Sequence, residues 1–430
     1  MINYLRIYFY FIFTFFVANE VLVLPSLSSS LNKEEKEIIN FVDNHPRDAV
    51  NLIRDSVNIS SATENIDGVK KSGIFFRNEF NQLGFDTKWI AMPDSVKRAG
   101  HLIAEHKGTS GKRLLLIGHL DTVLPGGNFI EKGDKGYGAG SNDMKGGDVI
   151  LIMALRALNA SGVLDNTRLI AVFTGDEEAA GHPIEITRHD LIEAAKRSDI
   201  SLAFENSVRD TITTARRGSS SWTLKVTGIQ AHSSIIFSEA AGDGAIFEAA
   251  RILNEFRLEL RKEKGLTFNP ALFLGGTDIN STATSGTATG KSNVIPRTAL
   301  IHGDLRFSNQ EQLDRSRTIM KSIVSRHLRR TDATITFEDS YPAMTENEGS
   351  IELLNLVSTV SQDLGQGKVV ACDPKERGAG DVSFVAPIIP SVDGLGARGS
   401  GAHGPGEYVD EKSLNDLIKR TAIVIYRLTH

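Results

Sequence analysis

Two histidines and a run of acids stand in this chain where hydrolytic metal chemistry would need them. His119 and Asp121 follow the apolar stretch RLLLIG at 113–118. That stretch reads as a buried strand, a short continuous apolar run closed by glycine. In an open α/β sheet, ligands bind beyond the carboxyl ends of the strands. His119 is therefore a candidate metal ligand, and Asp121 can hold the imidazole's other N–H. Further on, Asp143 lies just before the apolar helix pattern VILIMALRAL. A carboxylate near a helix N-terminus is favoured as an anion, which suits a group that bridges two cations. Asp176, Glu177 and Glu178 follow a second buried strand at Leu169 to Phe173, and Glu205 ends the strand-like SLAFEN. Such acids are expensive to crowd together unless cations neutralise them.

With His403 added, the candidate ligands are His119, Asp143, Glu178, Glu205 and His403. Two histidines and three carboxylates suit a pair of zinc ions bridged by one carboxylate, with cobalt or manganese as alternatives. A metal pair of this kind supplies hydroxide at neutral pH and polarises a carbonyl. Amide hydrolysis also needs a carboxylate free of metal, to take a proton from water and pass it to the leaving nitrogen. Glu177, beside Glu178, is the candidate.

The elements that must position these groups follow from composition and pattern. The chain has 430 residues, 40% hydrophobic and 23% charged, and a net charge of −5. This is an ordinary globular balance, with room for two domains and a large core, and no electrostatic reason to expect a nucleic-acid partner. The single cysteine, Cys372, excludes an intrachain disulfide and a cysteine-based zinc site. At the N-terminus Arg6 precedes IYFYFIFTFFVA, and a small-x-small pattern at Ser26 and Ser28 marks a cleavage site. Residues 1–28 are expected to be a signal peptide for export to a periplasm, with an uncleaved membrane anchor as the alternative.

Residues 32–215 alternate helix and strand patterns, the first part of an α/β catalytic domain. The style changes at 216–340, where SWTLKVTG, a helix over SEAAGDGAIFEAARILNEFRLEL, two strand pieces, the helix EQLDRSRTIMKSIVSRHLRR and ATITFEDS run in the order β-α-β-β-α-β. That order predicts a ferredoxin-like α+β insertion, helices on one face of an antiparallel sheet. The Ser/Thr/Gly tract at 275–292 reads as a hairpin or loop. Residues 341–430 return to the α/β style and complete the catalytic domain.

The motifs GHLDTV, YGAGSNDMKGG, TGDEEAAG, ARRG, GIQAHS, SNVIP, DLRF and GAHGPGEYV occur in that order over nearly all the chain after the leader. In this the chain resembles the co-catalytic zinc hydrolase family that contains glutamate carboxypeptidase, acetylornithine deacetylase and succinyl-diaminopimelate desuccinylase. The resemblance implies a mixed-sheet zinc-exopeptidase domain interrupted by a lid and dimerisation domain, with two zinc ions per subunit. It implies that His119 and Glu205 hold one zinc, Glu178 and His403 the other, and that Asp143 bridges them. Asp121 would orient His119, and Glu177 would be the general acid and base. His232 would steady the oxyanion from the lid, reaching the partner subunit's site in a homodimer. Asn293 and Arg306 would receive the substrate's terminal carboxylate. The sequence departs from the family pattern after His232, at Ser233-Ser234-Ile235, which bears on substrate rather than catalysis.

The reading is a dinuclear zinc hydrolase that cleaves an amide or peptide bond next to a free carboxylate in a small peptide or N-acyl amino acid. A deacylase of N-acyl amino acids is the alternative within the class. The contrasting reading is a binding module that has kept the fold and lost catalysis; it would be expected to lack Glu177 or a ligand, and none is missing.

Overall fold

The computed structural model describes residues 31–430; the leader or anchor expected at 1–28 lies outside them. Helices α1 (Lys33–Asn44), α2 (Asp48–Val57) and α3 (Ile66–Gln82) precede strands β1 (Asp86–Ala91), β2 (Gly100–Lys107) and β3 (Ser110–His119). Asn32 and Glu35 start α1 with a reciprocal capping box. α2 has no counterpart among the expected elements, although Ala49, Val50, Ile53 and Val57 recur at helical spacing and are all buried. α4 (Lys145–Ala160) then leads to β4 (Thr167–Thr174), and α5 (His189–Lys196) to β5 (Ile200–Ala203).

These strands form a six-stranded sheet in the order β1-β2-β4-β3-β5, completed by the short strand Ser391–Val392. β1, β2 and β4 pair antiparallel, whereas β4, β3, β5 and the last strand pair parallel. The sheet is mixed, and its parallel half is covered on both faces. That is why Leu114, Leu115, Leu116 and Ile117 read as an unbroken apolar run. α4 packs so closely that a Cβ on Gly147 would lie 1.9 Å from the Phe204 carbonyl oxygen; a glycine is required at that approach.

The inserted segment comprises β6 (Gly218–Gly228), α6 (Ala245–Leu260), β7 (Thr267–Gly276), β8 (Thr298–Phe307), α7 (Gln310–Val324) and β9 (Thr331–Asp339). Its four strands run β7-β8-β6-β9, all antiparallel. Trp222, Leu224 and Val226 alternate along β6 and share a core with Ile252 and Phe256 of α6 and Met320 of α7. The two helices therefore cover one face, as the β-α-β-β-α-β order predicts. The Ser/Thr/Gly tract contains the hairpin Asp278–Ser281 with Gly286–Thr289. α6 starts at Ala245 rather than Ser238, because Gly242 and Gly244 take positive φ of 68° and 79° just before it. α7 stops at Val324, short of the expected SRHLRR extension.

The chain enters the insertion at Arg216 and leaves it at Met344. The two residues exchange backbone hydrogen bonds, Arg216 N–H to Met344 O at 2.9 Å and Met344 N–H to Arg216 O at 3.0 Å. Beyond them, α8 (Glu348–Asp363) and α9 (Leu414–Thr429) add Leu353, Val357, Ile418 and Ile425 to the main core. Among the described residues no helix is long and apolar enough to cross a membrane.

Candidate metal centre

His119 ends β3 and is buried, with Nδ1 3.1 Å from the Asp121 carbonyl oxygen and 3.4 Å from Asp121 Oδ1. Its Nε2 faces Asp143 Oδ1 at 3.3 Å and Glu205 Oε1 at 3.6 Å. Asp121 also accepts the Thr63 hydroxyl at 2.7 Å and the backbone N–H groups of Glu177 and Glu178, each at 3.1 Å. One carboxylate thus fixes both the imidazole and the turn that carries the adjacent acids. On the other side, His403 Nε2 lies 3.3 Å from Asp143 Oδ2 and 3.0 Å from Glu178 Oε2. His403 holds a left-handed backbone, φ 65°, an uncommon state for a non-glycine residue and one found at functional sites.

His119, Asp143 and Glu205 form one group, and Asp143, Glu178 and His403 another, with ligand atoms within 4.8 Å of one another. Asp143 belongs to both, one oxygen toward each. This geometry groups the five residues as the resemblance pairs them. A third group joins His119, Glu177 and Glu178, so the Glu177 carboxylate also stands at the centre.

Charge explains what such a cluster requires. Burial pushes Glu205 up to about 8, and the neighbouring Asp143 carboxylate adds to the rise. Burial also holds Glu177 well above the usual carboxylate range, with Glu205 contributing. For Asp143 burial acts upward as well, but the flanking His119 and His403 outweigh it and lower the carboxyl. Hydrogen bonds that the His403 imidazole donates to the Asp143 and Glu178 carboxylates raise its pKa to about 11. Four carboxylates converge on two imidazoles, an excess of negative charge that divalent cations would neutralise. Among the described residues Glu178 Oε1 is buried without a hydrogen-bond partner, an orphan that a cation would satisfy. The donor set is all imidazole and carboxylate and fits zinc, cobalt or manganese.

Three further residues hold the candidate ligands in place, and two of them have no sequence signal of their own. Glu407 accepts the backbone N–H groups of Gly140, Asn142 and Asp143, each at 2.9 Å. It ties the loop of His403 to the loop of Asp143. Asp393 accepts the Glu205 N–H at 3.3 Å and Arg216 Nε at 2.6 Å. Thr63 supports Asp121. A signal was present only for Glu407, inside GAHGPGEYV.

The lid candidates stand apart from this cluster. His232 is exposed on the insertion and hydrogen-bonds Ser234 Oγ at 2.8 Å. Its neighbour Ser233 donates to the Asn293 carbonyl at 2.9 Å, which brings His232 and Asn293 to one edge of the insertion. Arg306 lies elsewhere, paired with Asp304 at 3.0 Å. It lines a cavity of about 320 Å³ with Arg217, Lys375, Glu376 and Arg377. Arg377 reaches the Asn206 carbonyl and side chain at 2.9 and 2.7 Å, so the cavity wall adjoins the residue after Glu205.

Fold and site together define a metal-dependent hydrolase with an inserted lid. Comparison with known proteins gives the family. The profile of peptidase family M20/M25/M40 matches residues 115–427. The chain is 27% identical over 365 residues to carboxypeptidase G2 of a Pseudomonas species, covering 82% of this chain and 83% of that one. It is 26% identical over 377 residues to a succinyl-diaminopimelate desuccinylase of Nitrosospira multiformis, covering 82% and 90%. Among solved structures, a tripeptidase of Staphylococcus aureus superposes with a TM-score of 0.70 at 20% identity, over 89% of this chain and 98% of that one. A dinuclear metal-binding peptidase of Bacillus subtilis superposes with a TM-score of 0.62 at 17% identity, over 90% and 99%. The chain belongs to peptidase family M20/M25/M40.

Proposed function

We propose that this chain is an exported dinuclear zinc hydrolase. It cleaves an amide or peptide bond beside a free carboxylate, in the manner of a carboxypeptidase acting on small peptides or N-acyl amino acids. The observation that carries the reading is the shared Asp143, whose two oxygens face His119 and His403 at 3.3 Å each. That is the geometry of a carboxylate set between two cations. His119, Glu205, Glu178 and His403 would complete the two sites, and zinc bound there would supply an activated hydroxide and polarise the scissile carbonyl. Glu177 takes the proton from water at its carboxylate and returns it to the leaving nitrogen.

Arg306 and the cationic cavity support recognition of a carboxylate, since a guanidinium fork pairs with a planar anion through parallel charge-assisted bonds. Carboxypeptidase G2 and succinyl-diaminopimelate desuccinylase among the relatives agree with amide cleavage. We further propose a homodimer through the lid. The edge carrying His232 exposes Ile235, Phe237 and Phe247, the two rings 5.6 Å apart, an apolar surface of the kind that partners cover.

The test is hydrolysis of a panel of N-acyl amino acids and dipeptides, each as free acid and as C-terminal amide, with zinc or cobalt added. Cleavage of acids in preference to amides is expected, and Arg306→Ala should erase the preference. A metal-loaded protein that cleaves nothing in the panel would overturn the reading. Preference for acyl groups over peptides would favour the deacylase instead.

A further inference from the structure

The first acid of the DEE run, Asp176, has no part in the metal groups. Asp176 instead meets Arg188, a fully buried arginine. Arg188 Nη1 donates to Asp176 Oδ1 at 2.7 Å and Nη2 to the Asp176 carbonyl at 3.1 Å. Its Nε donates to Asp381 Oδ1 at 2.7 Å, and Nη2 also donates to the Tyr341 hydroxyl at 2.9 Å. Asp381 is held from below by the Thr174 hydroxyl at 2.6 Å. The Tyr341 hydroxyl then donates to the carbonyl oxygen of Glu177 at 2.7 Å.

This arrangement joins three parts of the molecule. Asp176 belongs to the turn of the candidate base. Asp381 follows the segment 375–379 that walls the cationic cavity. Tyr341 is on the return from the insertion, and its carbonyl accepts the N–H of Ser219 at the start of β6 at 2.8 Å. Its ring packs on Phe384, centroids 5.2 Å apart. Both peptide groups of Glu177 are therefore pinned by distant side chains. Asp121 accepts its N–H at 3.1 Å, and the Tyr341 hydroxyl donates a hydrogen bond to its carbonyl. Together they set the direction in which the Glu177 carboxylate points.

We propose that Tyr341 is a positioning residue for Glu177, with Arg188 as the hub through which the seating of the insertion and of the cavity wall reaches the base. A buried arginine satisfied by two carboxylates and a phenol is a fixed point, since displacing it would strand charge in the interior. Tyr341→Phe removes one hydroxyl and leaves the ring on Phe384. A misplacement of about 1 Å can cost about 10²-fold in rate, so a kcat roughly tenfold lower is expected. KM should stay within about twofold, because the hydroxyl does not touch substrate.

The inference rests on Glu177 acting as the base, and a double-mutant cycle separates the two ideas. In the background of Glu177→Asp, whose shortened carboxylate is already out of place, Tyr341→Phe should change kcat by less than about twofold, because residues acting through one another are not additive. Metal content and Tm are measured for all four proteins. An equal fold-loss in both backgrounds, a loss of metal, a raised KM at constant kcat, or a fall in Tm with kcat unchanged would each overturn the role of Tyr341. A wild-type protein inactive on the whole panel would count against the base itself.

Discussion

Glu177 and Glu178 are adjacent, yet their surroundings assign them different work. Glu178 meets His403 at 3.0 Å, while Glu177 is buried near Glu205, which lifts its pKa. Glu177→Gln should retain the metals and the fold while kcat falls by at least the ~10²–10⁴-fold typical of acid–base help. Metal analysis beside steady-state kinetics checks this, and a lost equivalent of metal would make Glu177 a ligand. Glu407→Gln places an amide NH₂ against backbone donors that now meet a carboxylate. It should weaken metal binding measured by calorimetry, through Asp143 and His403, with Tm much less affected. At this scale His119 and the clustered acids were legible, because each follows an apolar strand or precedes an apolar helix, whereas His403 was legible only through the motif GAHGPGEYV. Asp393 and Tyr341 were not, and the role of Glu407, though it lies inside that motif, was not either. Their partners are largely backbone groups far away in sequence, 265 residues for Glu407 and Asn142, and pattern does not encode such pairings.

The elements depend on clamps at strand ends as well as on burial. Asp199, just before β5, accepts from Arg113 N, Nε and Nη2 at 2.8, 3.2 and 2.6 Å, which sets the register of β5 against β3. The Arg113 guanidinium lowers the Asp199 carboxyl to about 2. A carboxyl depressed in the folded state contributes stability above its unfolded pKa of about 3.9, and loses it as pH falls toward the folded value. Asp199→Asn should therefore lower Tm at pH 6, and the gap to wild type should close between about pH 4 and pH 2. A gap independent of pH would mean that the hydrogen bonds alone matter. Periodicity gave most helices and strands here. It overran the start of α6, where apolar and small residues continue the pattern but two left-handed glycines break the backbone, and it passed over α2, whose short pattern sits between stronger ones.

In the whole molecule, the insertion was legible as a change from α/β to α+β order, since that depends on chain sequence alone. Where His232 and Arg306 stand relative to the metal groups was not, because it depends on how two separately cored bodies sit together. Among the described residues the His232 ring hydrogen-bonds Ser234 and belongs to none of the metal groups; the resemblance gives it an oxyanion role across a dimer. An imidazole steadies an oxyanion only from hydrogen-bond distance. If it acts across the proposed dimer, mixing His232→Ala with Glu177→Ala subunits should restore activity, since one site of the heterodimer carries neither defect. Mixtures that stay inactive after proven subunit exchange would place the histidine in cis, and a strictly monomeric protein would remove the basis for the trans assignment.

The hydrogen-bonded pair Arg216 and Met344 has a consequence for how the chain can be edited. Because the insert's two ends coincide, it adds no gap for its host to span, and closure entropy rises only slowly with the length of what lies between. The host is in effect a contiguous unit carrying a graft. Joining 216 to 344 through a short glycine turn should leave a metal-binding host of the same sheet order, shorn of Arg306 and of any preference for a terminal carboxylate.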